Sequence, residues 1–257
     1  MIAPFAAPRL LSGPASTRLL SWVVLLLLWQ AAAVIAGSRL FPPVSHVVAA
    51  MGGDIASGVL PFNLAVTMAR VVAAFAISML LGTALGLAMG TWRRLDLLLD
   101  SWVTALLNLP ALVVIVLMYV WFGLTEAAAV GAVTLNKLPT TAVVVREGTR
   151  ALDRDLTEMS RSFRMSRWTR LRHVVLPQLY PYLFAAARSG LAIIWKIVLV
   201  VELLGRSNGV GFQIQEYFQL FDVTQILAYT LAFILVVQAI EWAVLQPMER
   251  RATRWRR

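Results

Sequence analysis

Six long apolar runs, separated by short polar stretches, limit what this chain can fold into more than any other feature. They cover residues 19–37, 64–91, 101–123, 127–145, 179–204 and 223–245. A helix needs about 20 mostly apolar residues to cross a bilayer, and each run supplies that. The expectation is an all-α membrane protein with about six transmembrane helices. Composition agrees, with 60% apolar and 14% charged residues and a mean hydropathy of +0.76. Soluble chains average about 45–50% and about 25%. The 257 residues leave no room for a separate soluble enzyme domain beside six spans. The first run could imitate a secretory signal, but the apolar part of a signal is only about 7–15 residues long. A retained span is the better reading.

The distribution of basic residues sets the expected orientation. Arg9 and Arg18, then Arg93 and Arg94, then eight arginines from Arg146 to Arg172, then five from Arg250 to Arg257 all fall in alternate segments. The opposite loops hold only Arg39 and Arg206. Cytoplasmic loops carry the Lys/Arg excess, so both termini are expected in the cytoplasm of a bacterial inner membrane. The net charge of +10 then belongs to loops facing anionic lipid, and nucleic acid is not a partner. The chain divides into a cytoplasmic tail (1–18), a first span with its outer loop (19–62), a transmembrane domain (63–246) holding a polar loop (150–177), and a basic tail (247–257). Residues 38–63 and 205–222 read as loops, and Arg93, Arg94, Asp96 and Asp100 as a polar turn. With no cysteine, disulfides and thiolate metal sites are excluded.

Four basic residues remain inside the runs: Arg70, Lys137, Arg188 and Lys196. Each would cost about 2.5–3.5 kcal/mol at the centre of a lipid-facing helix, so they are expected to meet protein or water. Arg70 lies near the outer end of its run, where snorkelling is expected. Lys137, beside Asn136 in mid-run, is the hardest to place. Arg188 and Lys196 share one helix face, and Glu202 near the outer end of that helix could pair with a base on a neighbour. Two readings stay open for Asn136, Lys137, Arg188, Lys196 and Glu202. They form either a lining for an anionic solute or ion pairs between helices. Gly82, Gly86 and Gly90 recur every fourth residue, a pattern suited to close helix packing in lipid.

The long polar loop reads as two short helices. Asp153 and Asp155 favour the start of the first, and Leu156, Met159 and Phe163 make one apolar stripe along it. Ser166 is placed to cap the second, over residues 167–175, with Pro177 expected to end it. The pair is too short to span. It offers its stripe either to a soluble partner or to lipid headgroups.

Glu158-Met159-Ser160, Arg164 and Val174-Val175-Leu176-Pro177 resemble the cytoplasmic loop of binding-protein-dependent ABC importer permeases. That family's loop reads Glu-Ala-Ala, three residues, Gly, nine residues, Ile-x-Leu-Pro. The spacing is the same here, with Arg164 at the glycine position and Met159-Ser160 in place of Ala-Ala. Leu109-Pro110 with Trp121-Phe122-Gly123, Val201-Glu202-Leu203-Leu204, and Gly209-Val210-Gly211-Phe212 are similar to further segments of the nitrate/sulfonate/taurine branch. The resemblance implies a type I importer fold. It also implies two permeases (a homodimer is expected), a cytoplasmic ABC ATPase dimer that binds ATP and Mg, and a periplasmic solute-binding protein. Glu158, Met159, Ser160, Phe163, Arg164, Val174, Leu176 and Pro177 would form the loop that couples to the ATPase, and the solute would be a small anion such as a sulfonate, taurine or nitrate.

Rival classes fit less well. His46 and His173 form no HExxH pair, no GxSxG serine is present, and no phosphate-binding loop would let this chain hydrolyse ATP. An intramembrane enzyme is therefore disfavoured, and no cofactor is expected on the chain itself. A channel or secondary transporter would lack the coupling segment and more often show an internal repeat.

Overall fold

Apolar stretches in this chain become helices, and the computed structural model describes them over residues 14–247. Among the described residues every regular element is helical. The chain runs through α1 (Pro14–Ala36), α2 (Val44–Ala56), α3 (Val59–Thr91), α4 (Arg93–Asn108), α5 (Ala111–Phe122) and α6 (Glu126–Arg150). It continues with α7 (Arg154–Ser162), α8 (Arg167–Arg170), α9 (Leu176–Gly205), α10 (Val210–Gln219) and α11 (Val223–Ile240). The expected tails, with Arg9 and the five terminal arginines, lie at least partly outside the described residues.

Several expectations need correction. The stretch 38–63 is not all loop, because it contains α2. The polar turn at Arg93 to Asp100 is the start of α4. The third run is two helices meeting at 100°. Pro110 cannot donate to a helix, and Leu109 before it is pushed to an extended ψ of 128°, as a residue preceding proline usually is. The outer loop 205–222 contains α10. Pro177 does not end a helix. It sits at the start of α9, directly after a π-helical turn over Leu171–Val175, and helix runs on from Arg167 to Gly205.

Four helical stretches, Val59–Thr91, Glu126–Arg150, Arg167–Gly205 and Val223–Ala243, are long and apolar enough to cross a membrane. The bent pair of α4 and α5 can make a fifth, and α1 adds a shorter apolar helix over Leu20–Ala36. The centre of the bundle is α6, which packs on both α3 and α9. Thr125 caps its start by accepting from the Ala128 amide at 3.1 Å. Ala129, Val133, Ile115, Ile194, Val198 and Tyr229 join in one buried core. Tyr119 ties α5 to α9 by donating to the Val201 carbonyl at 2.8 Å.

The glycines at every fourth position of α3 have a definite partner. A Cβ at Gly82 would stand 2.6 Å from Thr141 Cβ, one at Gly86 2.5 Å from the Ala142 carbonyl oxygen, and one at Gly90 2.4 Å from Thr149 Cβ. All three face α6, which runs parallel to α3. Bare backbone at three successive turns lets the two helices touch where side chains would hold them apart.

Candidate functional site

Both helix starts expected in the polar loop between α6 and α9 carry their caps. Asp153 caps α7, its carboxylate accepting from the amides of Asp155 (2.8 Å) and Leu156 (3.3 Å). Ser166 caps α8 by accepting from the Thr169 amide at 3.1 Å. At the end of α7 the Arg164 amide donates to Arg161 O (2.9 Å) and the Met165 amide to Ser160 O (3.0 Å). These two bonds close the helix as a Schellman turn, whose residue after the cap takes a left-handed conformation. That residue is Arg164, at φ 49°, so the position where the family carries glycine needs the geometry that glycine adopts freely. Ser160 is fully buried, which explains a small side chain there. Glu158, Met159, Phe163, Leu176 and Pro177 are exposed, whereas Val174 is buried. The stripe of Leu156, Met159 and Phe163 lies open, with Phe163 74% exposed, and Trp168 stands exposed nearby in sequence.

Replacing Arg164 with glycine should relieve a left-handed penalty of about 1–2 kcal/mol. It should also lose a few tenths from removing a positive charge at a helix C-terminus. The expected net result is slower amide hydrogen exchange at residues 164–165. Faster exchange would mean that the arginine side chain holds the turn.

At the far end of the bundle a buried charge network joins four elements. Glu202 of α9 is fully buried and accepts from Arg70 Nη1 (2.7 Å), Thr67 Oγ1 (2.9 Å) and the Gly211 amide (2.9 Å). Arg70 also grips Glu126 through Nε (2.9 Å) and Nη2 (2.6 Å) and donates to the Asn208 carbonyl (2.8 Å). Arg206 reaches the same Glu126 at 2.6 Å. The snorkelling expected of Arg70 does not occur, because its side chain is 5% exposed. The loop 206–209 folds over it and supplies acceptors, so the guanidinium has no reason to seek the interface. The Gly209-Val210-Gly211 segment follows from the same packing. A Cβ at Gly209 would stand 2.4 Å from the Glu202 carboxyl carbon, and one at Gly211 2.2 Å from the Leu199 carbonyl oxygen. Asn63, Thr67, Glu126 and Asn208 were not singled out from the sequence. The spacing of Asn63, Thr67 and Arg70 along one helix face was the available signal. Asn63 closes the set by accepting from the Gly209 amide at 2.7 Å.

A second network lies at the arginine-rich end. Arg146 of α6 pairs with Asp96 (3.2 Å) and Asp100 (2.5 Å) of α4, and Arg150 pairs with Asp96. It fastens the start of α4 to the end of α6, immediately before the polar loop.

The remaining candidates do not converge on one point. Asn136 is half-buried and donates to the Ala132 carbonyl at 3.0 Å. Lys137 is 1% exposed, and its Nζ has no hydrogen-bond partner. Arg188 pairs with Glu241 at 3.5 Å and is 44% exposed. Lys196, two turns on along α9, is exposed as well. Among the described residues no group of three or more His, Cys, Asp or Glu could hold a metal.

Residues 78–243 match the family described as the binding-protein-dependent transport system inner membrane component. The chain is 30% identical over 229 residues to the putative aliphatic sulfonates transport permease protein SsuC of Escherichia coli (strain K12), covering 88% of this chain and 87% of that protein. The putative aliphatic sulfonates transport permease protein SsuC of Bacillus subtilis (strain 168) is 27% identical over 236 residues, with 91% and 85% covered. Among solved structures, a chain of the inward-facing MetNI methionine ABC transporter superposes with a TM-score of 0.60 at 19% identity, covering 75% of this chain and 97% of that one. Its likeness bears on the fold alone. With the family match spanning most of the bundle, this chain belongs to the binding-protein-dependent inner membrane components, the permease subunits of ABC importers.

Proposed function

We propose that this chain forms half of a membrane pathway importing a small anion, an aliphatic sulfonate being the first to test, and that α7 and α8 are the lever on which a separate ATPase subunit acts. The observation that carries the coupling role is the open ridge of Leu156, Met159 and Phe163. It sits on a helix capped at both ends, at the arginine-rich end of the bundle. Positive residues favour the cytoplasmic side, which puts this ridge and both termini where a soluble ATPase can reach them. The opposite end, with α2, α10 and the buried Arg70 network, then faces the solute-binding protein.

The open face of α9 supports a second permease copy and a path between the two. Lys196 is exposed there, as is Arg188, which also pairs with Glu241, and a lipid-facing cation at the centre of a span costs about 2.5–3.5 kcal/mol. A partner copy with water between the two chains removes that cost and makes a basic lining. Sulfonates are supported as the solute by the sulfonate-permease relatives and by this lining. The chain itself supplies no ATPase chemistry. ATP and Mg act on the partner subunit, and closure of that dimer would drive the lever.

The test is ethanesulfonate uptake into proteoliposomes holding the permease, its ATPase and its binding protein. The Phe163→Asp substitution should cut ATP-driven uptake about tenfold or more and release the ATPase on co-purification, while the permease still inserts and folds. Normal uptake and normal co-purification in this variant would exclude α7 as the lever.

A further inference from the structure

We propose that Lys137, assisted by Thr134, is the specificity-determining residue that holds the oxyanion group of the solute during passage. The proposal rests on the anion-importer reading above and assigns the charge selection within it. Lys137 is among the largest fully buried side chains of the protein, yet its Nζ finds no hydrogen-bond partner. The hydroxyl of Thr134, 7% exposed, is unpartnered in the same way. The two lie three residues apart on α6 and therefore on one face of it.

The chain makes deliberate room for this lysine. A Cβ at Gly190 of α9 would stand 2.1 Å from Lys137 Cε and 2.8 Å from Nζ. A glycine in the middle of a helix costs about 0.5–1 kcal/mol relative to alanine, and here it lets the lysine stem cross the contact between α6 and α9. Meanwhile the carboxylates of α4, α6 and α9 are engaged by arginines. Glu126 and Glu202 hold Arg70, Glu241 pairs with Arg188, and Asp96, Asp100 and Glu147 hold Arg146 and Arg150.

An ammonium taken out of water without a counter-charge is strongly unfavourable. A partner that arrives and leaves resolves this, and the solute is such a partner. The ammonium brings three N–H donors and the threonine hydroxyl one more, a set suited to a singly charged oxyanion and hostile to a cation. Gly190 is buried against Lys137, whereas Arg188, two residues earlier, is exposed on another face of α9, so in the packed bundle the body of α9 stands between the amine and the proposed lining. In the present conformation it is sealed. Contact with solute belongs to a state in which α6 and α9 part at Gly190.

The experiment uses the complete permease–ATPase–binding-protein complex in proteoliposomes, with ethanesulfonate, taurine, nitrate and bicarbonate as probes. Uptake is normalised to assembled complex, and ATP hydrolysis stimulated by the loaded binding protein is read in parallel. Lys137→Met and Lys137→Gln should each lower uptake of the transported anion about tenfold or more while stimulated hydrolysis persists. Thr134→Val should raise the half-saturating concentration severalfold. Wild-type uptake of an anion with unchanged uptake in both Lys137 variants overturns the assignment and leaves the importer reading intact. Loss of assembly in both Lys137 variants makes the lysine structural and also overturns it. Failure of the wild type to take up any of the four anions removes the anion reading and this inference together.

Discussion

Arg70→Met is expected to destabilise the permease by about 3–5 kcal/mol, the cost of leaving a buried charge without its partner. Glu202 has no water to turn to, since its side chain is fully buried. Its remaining donors, Thr67 and the Gly211 amide, are neutral. The same substitution strands the Asn208 carbonyl and loosens Glu126, so the 206–209 loop should come free of α3. Thermal unfolding of the purified protein in detergent measures the loss. The double variant Arg70→Met, Glu202→Met should recover much of it, because replacing both members of a buried pair by apolar groups is often close to neutral. Arg70→Lys should fall between, keeping the charge and losing the fork that holds two carboxylates at once. Glu126→Gln provides the contrast. Its side chain is 54% exposed, and solvent screening should hold its effect to about 1 kcal/mol or less. If Arg70→Met changed stability by no more than Glu126→Gln, the network would not be a clamp.

Gly86→Ala is expected to cost about 1–3 kcal/mol by overpacking, although alanine is the better helix former by about 0.8–1.0 kcal/mol. The steric term wins because the added carbon would stand 2.5 Å from a backbone carbonyl oxygen, that of Ala142, and 2.8 Å from Val145 Cβ. Backbone cannot rotate aside, so α3 and α6 would have to separate along the whole seam. Gly131→Ala is the control. Its Cβ would meet Met118 Cε at 2.7 Å, the flexible end of a side chain that can swing away, and the helix-propensity gain should offset most of the cost. Equal melting temperatures for the two variants would remove the seam as a stabilising feature. The observed contacts, with Gly82, Gly86 and Gly90 seated on Thr141, Val145 and Thr149, favour α3 and α6 moving as one body.

The loop's caps and apolar stripe, and the long apolar helices, were legible in the sequence because their determinants are local. Hydrophobic runs, the caps at Asp153 and Ser166, and the stripe of Leu156, Met159 and Phe163 all act within about four residues along the chain, the reach of helical hydrogen bonds and i, i+4 contacts. Even the departure at Arg164 marked the one place in the loop where the backbone turns left-handed.

The fate of the charged residues was decided only by the tertiary structure. Arg70 and Glu202 are 132 residues apart, and Arg70 and Asn208 138. Nothing along the chain says that the 206–209 loop folds back to bury the guanidinium. Snorkelling was the reasonable expectation for a base near a helix end with no visible acceptor, and packing supplied the acceptors. The same holds for the 100° break between α4 and α5, where hydropathy reads one continuous span. Hydropathy records what a residue avoids, whereas its partner depends on which backbones close packing brings together.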